Sequence, residues 1–163
     1  MAEGASTMIL LVSTLLISGA ASVVLINSWG EVAEATGTST SGRVADAETD
    51  VAVSGDRSNT LLDTSGTNQE ITLYFQNTGK RLLDKTEFSI FVDGVSVGSG
   101  SGNTLYPANG EWSPGTVLET TVSDPAWNYN DGDIVTVTII AQSTVTEGVR
   151  GTSVASEEVR LSV

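Results

Sequence analysis

The chain has 163 residues, with 20 acidic against 7 basic side chains, a formal net charge of −13, and neither histidine nor cysteine. The missing residue types exclude a thiol nucleophile, a disulfide framework, an imidazole general base and the usual zinc and haem ligands. The acidic balance excludes a nucleic-acid partner, because seven scattered cations cannot neutralise a row of phosphates.

An uncharged segment opens the chain, with no ionisable side chain at the 27 positions between Glu3 and Glu31. Within it, residues 8–26 read MILLVSTLLISGAASVVLI. A helix rises about 1.5 Å per residue, so this run spans about 28 Å, close to a hydrocarbon core of about 30 Å. It is either a membrane anchor or a helix that packs against copies of itself in a filament. A secretory signal is disfavoured, because the first residues carry an acid and no cation.

Small side chains in this segment favour helix-to-helix packing, because they let neighbouring backbones approach closely. Trp29 follows the apolar run and suits either a membrane interface or a subunit contact. The residues that we expect to mediate assembly are Leu10, Leu11, Leu15, Ser18, Gly19, Ala20, Ala21, Ser22, Val24 and Trp29.

Composition predicts three regions along the chain. The hydrophobic helix is expected at residues 1–36. The sequence GTSTSG then predicts a flexible polar linker at residues 37–43. A β-rich domain is expected at residues 44–163, which is long enough for one hydrophobic core.

The sequence of the β-rich domain predicts short strands separated by turn residues. The clearest is Glu70–Gln76, in which apolar and polar residues alternate. Asp93-Gly94 follows the strand predicted at Glu87–Val92 and predicts a hairpin. Further strands are predicted at Thr49–Val53, Thr116–Val122, Asp133–Gln142 and Thr152–Val163. About seven strands of this kind favour an all-β sandwich of immunoglobulin-like type.

The sequence DPAWNYNDGD holds the best candidate metal ligands, which are Asp124, Asn128, Asn130, Asp131 and Asp133. Calcium prefers several oxygen ligands on a flexible loop, so it is the one cofactor considered. The spacing does not fit an EF-hand. An ordinary turn that leads into the next strand explains the same residues and is favoured.

A local positive patch holds three of the seven cations, Lys80, Arg81 and Lys85. It is a candidate contact for an acidic neighbour, either another subunit or a surface layer. The alternative is a solvated loop between two strands. The acidic excess, with two lysines against five arginines, favours a halophilic source, because such surfaces stay hydrated in molar salt. No histidine or neighbouring lysine is placed to activate a hydroxyl, so we expect no enzyme.

Two stretches carry a resemblance to known proteins. The opening MILLVSTLLISGAASVVLINSWGEVAEAT resembles the N-terminal helix of archaeal archaellum proteins. The block ITLYFQNTGKRLLDKTEFSIFVDGVSV, residues 71–97, resembles the strands and hairpin of the FlaF/FlaG stator proteins of the archaellum. The acidic bias is similar to that of their haloarchaeal members.

The resemblance implies a non-enzymatic stator subunit, with the FlaG type preferred. Its helix would lie in the membrane or in a short filament and would bind copies of itself and a second stator protein. Its sandwich would stand outside the cytoplasmic membrane and anchor the motor to the surface layer. Archaellin precursors carry a basic residue followed by glycine at their processing site, where this chain has Glu3-Gly4, and this difference favours the stator. The alternatives are an archaellin or pilin-like filament subunit, and a membrane-tethered extracellular module that binds a cation or a carbohydrate.

Overall fold

One long helix precedes nine strands in the computed structural model, which describes residues 2–163 except for the side chains of residues 2–6, 19, 20, 23 and 24. The chain divides into two compact units, one ending at Ser41 and one at Gly42–Val163, which we call the head. The elements are α1 (Ala2–Glu48), β1 (Val51–Ser54), β2 (Thr60–Asp63), β3 (Gln69–Asn77), β4 (Leu83–Val92), β5 (Val95–Gly98), β6 (Ser101–Tyr106), β7 (Val117–Asp124), β8 (Ile134–Ser143) and β9 (Thr152–Ser162).

Helix α1 continues through residues 37–43, where we expected a flexible linker. The prediction that the helix ends at residue 36 is therefore wrong. The hydroxyl groups of Thr36, Thr38 and Thr40 each donate to the carbonyl four residues earlier, at 2.7–3.1 Å. Because these side chains bond along the helix, they do not draw the backbone into a turn.

The head is a β-sandwich, as predicted. One sheet holds β1, β2, β3, β7 and β6, and the other holds β5, β4, β8 and β9. A short parallel pairing of β2 with β9, at Thr60 opposite Leu161, joins the two sheets. All other strand pairings between the named strands are antiparallel, which suits sheets that pack on one face and meet water on the other.

The core lies between the two sheets and is built by alternation along the strands. Val135, Val137 and Ile139 of β8 are buried while the residues between them point outward. Trp112 is the largest fully buried side chain and meets Phe88 edge-on, with ring centroids 5.7 Å apart. The Trp112 indole N–H donates to a backbone carbonyl at 3.2 Å, so its burial leaves no polar atom unpaired.

The predicted hairpin is confirmed. Asp93 and Gly94 have φ angles of 49° and 79°, the left-handed pair that a two-residue hairpin turn requires, and Val92 lies opposite Val95. Strands β2 and β6 were not predicted. In β2, TLLD sets a buried Leu62 beside an exposed Leu61, and in β6, SGNTLY has one buried residue, so neither gives a clear alternation.

The last turn of α1 belongs to the head and is bonded to it. Ala45 is fully buried, and the Glu48 carbonyl accepts the backbone N–H of Lys80 at 2.7 Å. The Asp46 carboxylate accepts the N–H of Thr152 at 2.9 Å. The first bond satisfies a carbonyl that a helix end otherwise leaves to water, and the second joins an α1 side chain to the backbone of β9.

Gly79 permits this close approach, and its replacement by alanine tests the junction. A Cβ at Gly79 would lie 2.5 Å from the backbone nitrogen of Asp50 and 2.6 Å from the carbonyl oxygen of Glu48. We expect Gly79→Ala to lower the free energy of unfolding by about 1–3 kcal/mol, because backbone must move aside. Urea denaturation followed by circular dichroism measures the change.

Gly42→Ala is the matched control, because a Cβ there meets open space on a helical residue. It should leave the head unchanged or stabilise it by up to about 1 kcal/mol. Equal denaturation midpoints for the Gly79→Ala variant and the original protein would show that the junction is not tightly packed.

Candidate functional site

The apolar segment of α1 carries large side chains that are exposed to water. Ten of the described residues between positions 8 and 26 keep 55–74% of their surface exposed. At about 100° per residue, five consecutive apolar positions already encircle a helix. The ten residues are Met8, Ile9, Leu10, Leu11, Val12, Leu15, Leu16, Ile17, Leu25 and Ile26. A helix that is apolar on every side is stable only when protein or lipid covers it.

Three hydroxyl side chains in this segment, those of Ser13, Thr14 and Ser22, are hydrogen-bonded within the helix. Ser13 donates to the carbonyl of Ile9 at 2.8 Å, and Ser22 donates to that of Ser18 at 2.9 Å. Thr14 donates to carbonyls three and four residues earlier. Because the hydroxyl protons of Ser13, Thr14 and Ser22 have partners on their own helix, these three residues can enter an apolar environment at little cost.

Seven of the predicted assembly residues are described, and each is exposed: Leu10, Leu11, Leu15, Ser18, Ala21, Ser22 and Trp29. The other three side chains, those of Gly19, Ala20 and Val24, lie outside the described residues. The role of this set in assembly stays a prediction. No helix within the described residues has a window of the length and apolarity that crossing a membrane takes.

The loop at residues 124–133 uses its carboxylates as turn acceptors. Asp124 and Asp133 each accept a backbone N–H from within the loop at 2.7 Å. Asp131 accepts the N–H of Val163 at 3.2 Å, while Asn128 and Asn130 are exposed. In the part of the chain that the structure describes, no three acidic side chains are grouped to hold a metal ion. These contacts fit the favoured interpretation of the loop as a structural turn.

Tyr129 ties this loop to the β4–β5 hairpin, a connection that sequence reasoning missed. Its hydroxyl donates to the Asp93 carboxylate at 2.9 Å, and that carboxylate also accepts the N–H of Thr136 at 2.8 Å. The side chain of Gln69 pairs with both backbone groups of Tyr129, at 2.7 and 2.8 Å. Burial, helped by the bond to Asp93, raises the pKa of Tyr129 to about 12. These partners are 36 to 60 residues away in sequence, so no local pattern indicates them.

Two of the three cations in the predicted positive patch bind carbonyls of the chain itself. Arg81 donates to Val149 O at 3.2 Å, and the Lys85 ammonium donates to Gly110 O at 2.8 Å. Lys80 is exposed. A contact between this patch and an acidic partner stays a prediction.

Comparison with known proteins finds one family model that matches both units of the chain. The model of the family described as archaeal-type flagellin matches residues 2–163. No curated protein matches the chain. The family match therefore includes the apolar helix and the β-sandwich together.

Calcium titration tests the loop at residues 124–133. We expect no saturable heat at about 10⁻³ M calcium, the weak end of protein sites, because the aspartates already accept backbone N–H groups. Isothermal calorimetry on the chelator-treated protein gives the measurement. A saturable heat that disappears in Asp131→Asn would show that the loop is a metal site after all.

Removing the Tyr129 hydroxyl tests the hydrogen bond between the loop at residues 124–133 and the β4–β5 hairpin. We expect Tyr129→Phe to lower the free energy of unfolding by about 1 kcal/mol near neutral pH, the usual net value of such a bond. Because folding raises the pKa of Tyr129 from about 10 to about 12, its contribution is complete below pH 10 and disappears as the pH rises to 12. Denaturation at several pH values should therefore show the two proteins converging in that range.

Tyr106→Phe is the control for this experiment, since Tyr106 is half exposed and should contribute less. Ultraviolet titration should lose its most alkaline tyrosine step in Tyr129→Phe alone. The same step persisting in that variant would assign it to another tyrosine and contradict the interpretation.

Proposed function

The chain belongs to the archaeal-type flagellin family, and from this premise we propose that it is a filament subunit of the archaellum that self-assembles through α1. The family is structural and non-enzymatic, and an archaellum component lies in the cell envelope or outside the cell. The finer choice between a filament subunit and a stator subunit rests on the surface of α1 and on the opening residues.

The observation that carries the proposal is the apolar surface that surrounds α1. Fully burying one large apolar side chain is worth about 1.5–3 kcal/mol, so ten that are already partly covered would contribute about 10–20 kcal/mol. Association costs roughly 4–15 kcal/mol in lost freedom of motion. The gain is of the size needed to hold subunits together, and packing between helices of neighbouring copies supplies the cover.

The part of α1 after Ile26 is polar, and it suits the end of the helix that leaves a core of packed helices and meets water. After Ile26 the helix carries Asn27, Ser28, Glu31 and Glu34, all exposed, and these side chains favour contact with water. The change from apolar to charged along one helix thus separates a region for packing from a region for solvent, and the exposed Trp29, a predicted assembly residue, lies where the two meet.

A stator subunit is the second candidate, and Glu3-Gly4 is the observation that favours it, because it stands where the resemblance to archaellins expects a basic residue followed by glycine. A stator subunit of this kind would use a second stator protein and the surface layer as partners. The same apolar helix would then lie in the membrane or in a short filament.

A charge placed on the apolar surface tests assembly through α1. We expect Leu15→Glu to abolish filaments, because an unpaired charge buried among apolar helices costs several kcal/mol. Electron microscopy and sedimentation of the native assembled material measure the effect. Thr38→Glu adds the same charge to an exposed position of α1 and should leave assembly intact. Equal filament yields from Leu15→Glu and Thr38→Glu would place the assembly contacts elsewhere.

Mass spectrometry of the native protein separates the two candidates. A filament subunit processed after Glu3-Gly4 should begin at Ala5, since the resemblance to archaellins implies processing after that glycine. A native protein that retains Glu3 and is recovered with the motor rather than with filaments would favour the stator.

A further inference from the structure

One side of the head carries the open edges of both sheets. Strand β5 ends one sheet and β6 ends the other, and beyond β4 and β7 respectively neither pairs with another strand in the described chain. Only Ser99 and Gly100 separate the two strands, so both edges lie on the same side of the sandwich. We call residues 94–110 the β5–β6 side.

The β5–β6 side has no charged residue at any of its 17 positions, in a chain of net charge −13. Sheet edges are normally protected by lysines or other charges that oppose pairing with another chain. Here Val95 and Tyr106 keep about half of their surfaces exposed, and Asn103 and Thr104 are exposed between them. A strand or side chains of another protein molecule can bind to an uncharged open edge of this kind.

The β5–β6 side is held in place by β7. The hydroxyl of Thr120 donates to Ser99 O at 3.2 Å, and that of Ser101 donates to Thr121 O at 3.4 Å. Gly100 packs directly on Thr120, where a Cβ would not fit. A connection fixed in this way presents both edges in one arrangement, so little order has to be gained on binding.

Charges of both signs border this side. Lys85 reaches Gly110 O at 2.8 Å, and Glu119 lies opposite Thr104 on the outer face, beside Tyr106. Glu111 follows directly in sequence. Asp93 directly precedes this side, so the border adds about two excess negative charges, far less than the chain as a whole.

We propose that the β5–β6 side binds the head of a second copy of this chain, with the open β6 edge at the centre of the contact. The proposal rests on the filament function above. Two heads of strongly negative charge repel each other least where the approaching surface is uncharged. Assembly through α1 would also raise the local concentration of heads, so a contact of modest area would suffice.

Adding charge to the β6 edge tests this contact in the full-length protein. We expect the paired substitution Asn103→Asp and Thr104→Asp to lower the assembled fraction about tenfold at low salt, as a penalty of about 1.4 kcal/mol does. The defect should shrink at 1 M salt, where charges are screened beyond about 3 Å. Thr67→Asp, at an exposed loop position outside the β5–β6 side, is the control and should assemble like the original protein.

A single-cysteine experiment gives an independent readout, because the chain contains no cysteine. Asn103→Cys labelled with a benzophenone maleimide should form crosslinked dimers in assembled material, whereas labelled Thr67→Cys should not. Peptide mapping then identifies the opposing residues on the second copy. The melting curve of each variant shows that the head stays folded.

The outcomes separate this inference from the function on which it rests. If the original protein forms no filaments, the filament function fails and the inference falls with it. If filaments form, but the paired aspartate variant assembles like Thr67→Asp and position 103 gives no crosslink between copies, the inference alone is overturned.

Discussion

The main physical constraint on this molecule is the apolar surface of α1, which a single copy of the chain cannot cover. Ten large side chains surround the first part of α1 and remain mostly exposed. Exposure of such a surface to water is unfavourable in proportion to its area, so α1 is stable only when protein or lipid covers it. The hydroxyls of Ser13, Thr14 and Ser22 donate to carbonyls of their own helix, which lowers the cost of burying these polar groups.

The negative charge of the head opposes the association of two copies. From Glu31 onward the chain carries 19 acidic and 7 basic residues, and this excess keeps heads apart unless they meet on an uncharged surface. Attraction is thus concentrated in α1 and repulsion in the head. The β5–β6 side is the longest uncharged stretch of the head, and the proposed contact between copies rests on that lack of charge.

Periodicity predicted most of the sandwich because its long strands are buried on one face. Strands β3 and β8 alternate clearly, and the Asp93-Gly94 turn is specified by local backbone preference. The helical conformation of residues 37–43 escaped prediction because glycine favours turns. Serine and threonine also favour turns unless their hydroxyls bond along a helix, as those of Thr38 and Thr40 do. The contacts of Tyr129 could not be predicted, since they join residues that are close only after the sheets have packed.

The end of α1 couples the folding of the helix terminus to that of the sheets. Its last turn has no basic residue and instead carries Asp46 and Glu48, where the negative end of the helix dipole disfavours acids. The terminal carbonyl of Glu48 and the carboxylate of Asp46 find their donors on Lys80 and Thr152, which come together only in the folded sandwich. Helix termination at residue 48 therefore depends on tertiary contacts, and the compact head begins at Gly42, before the first strand.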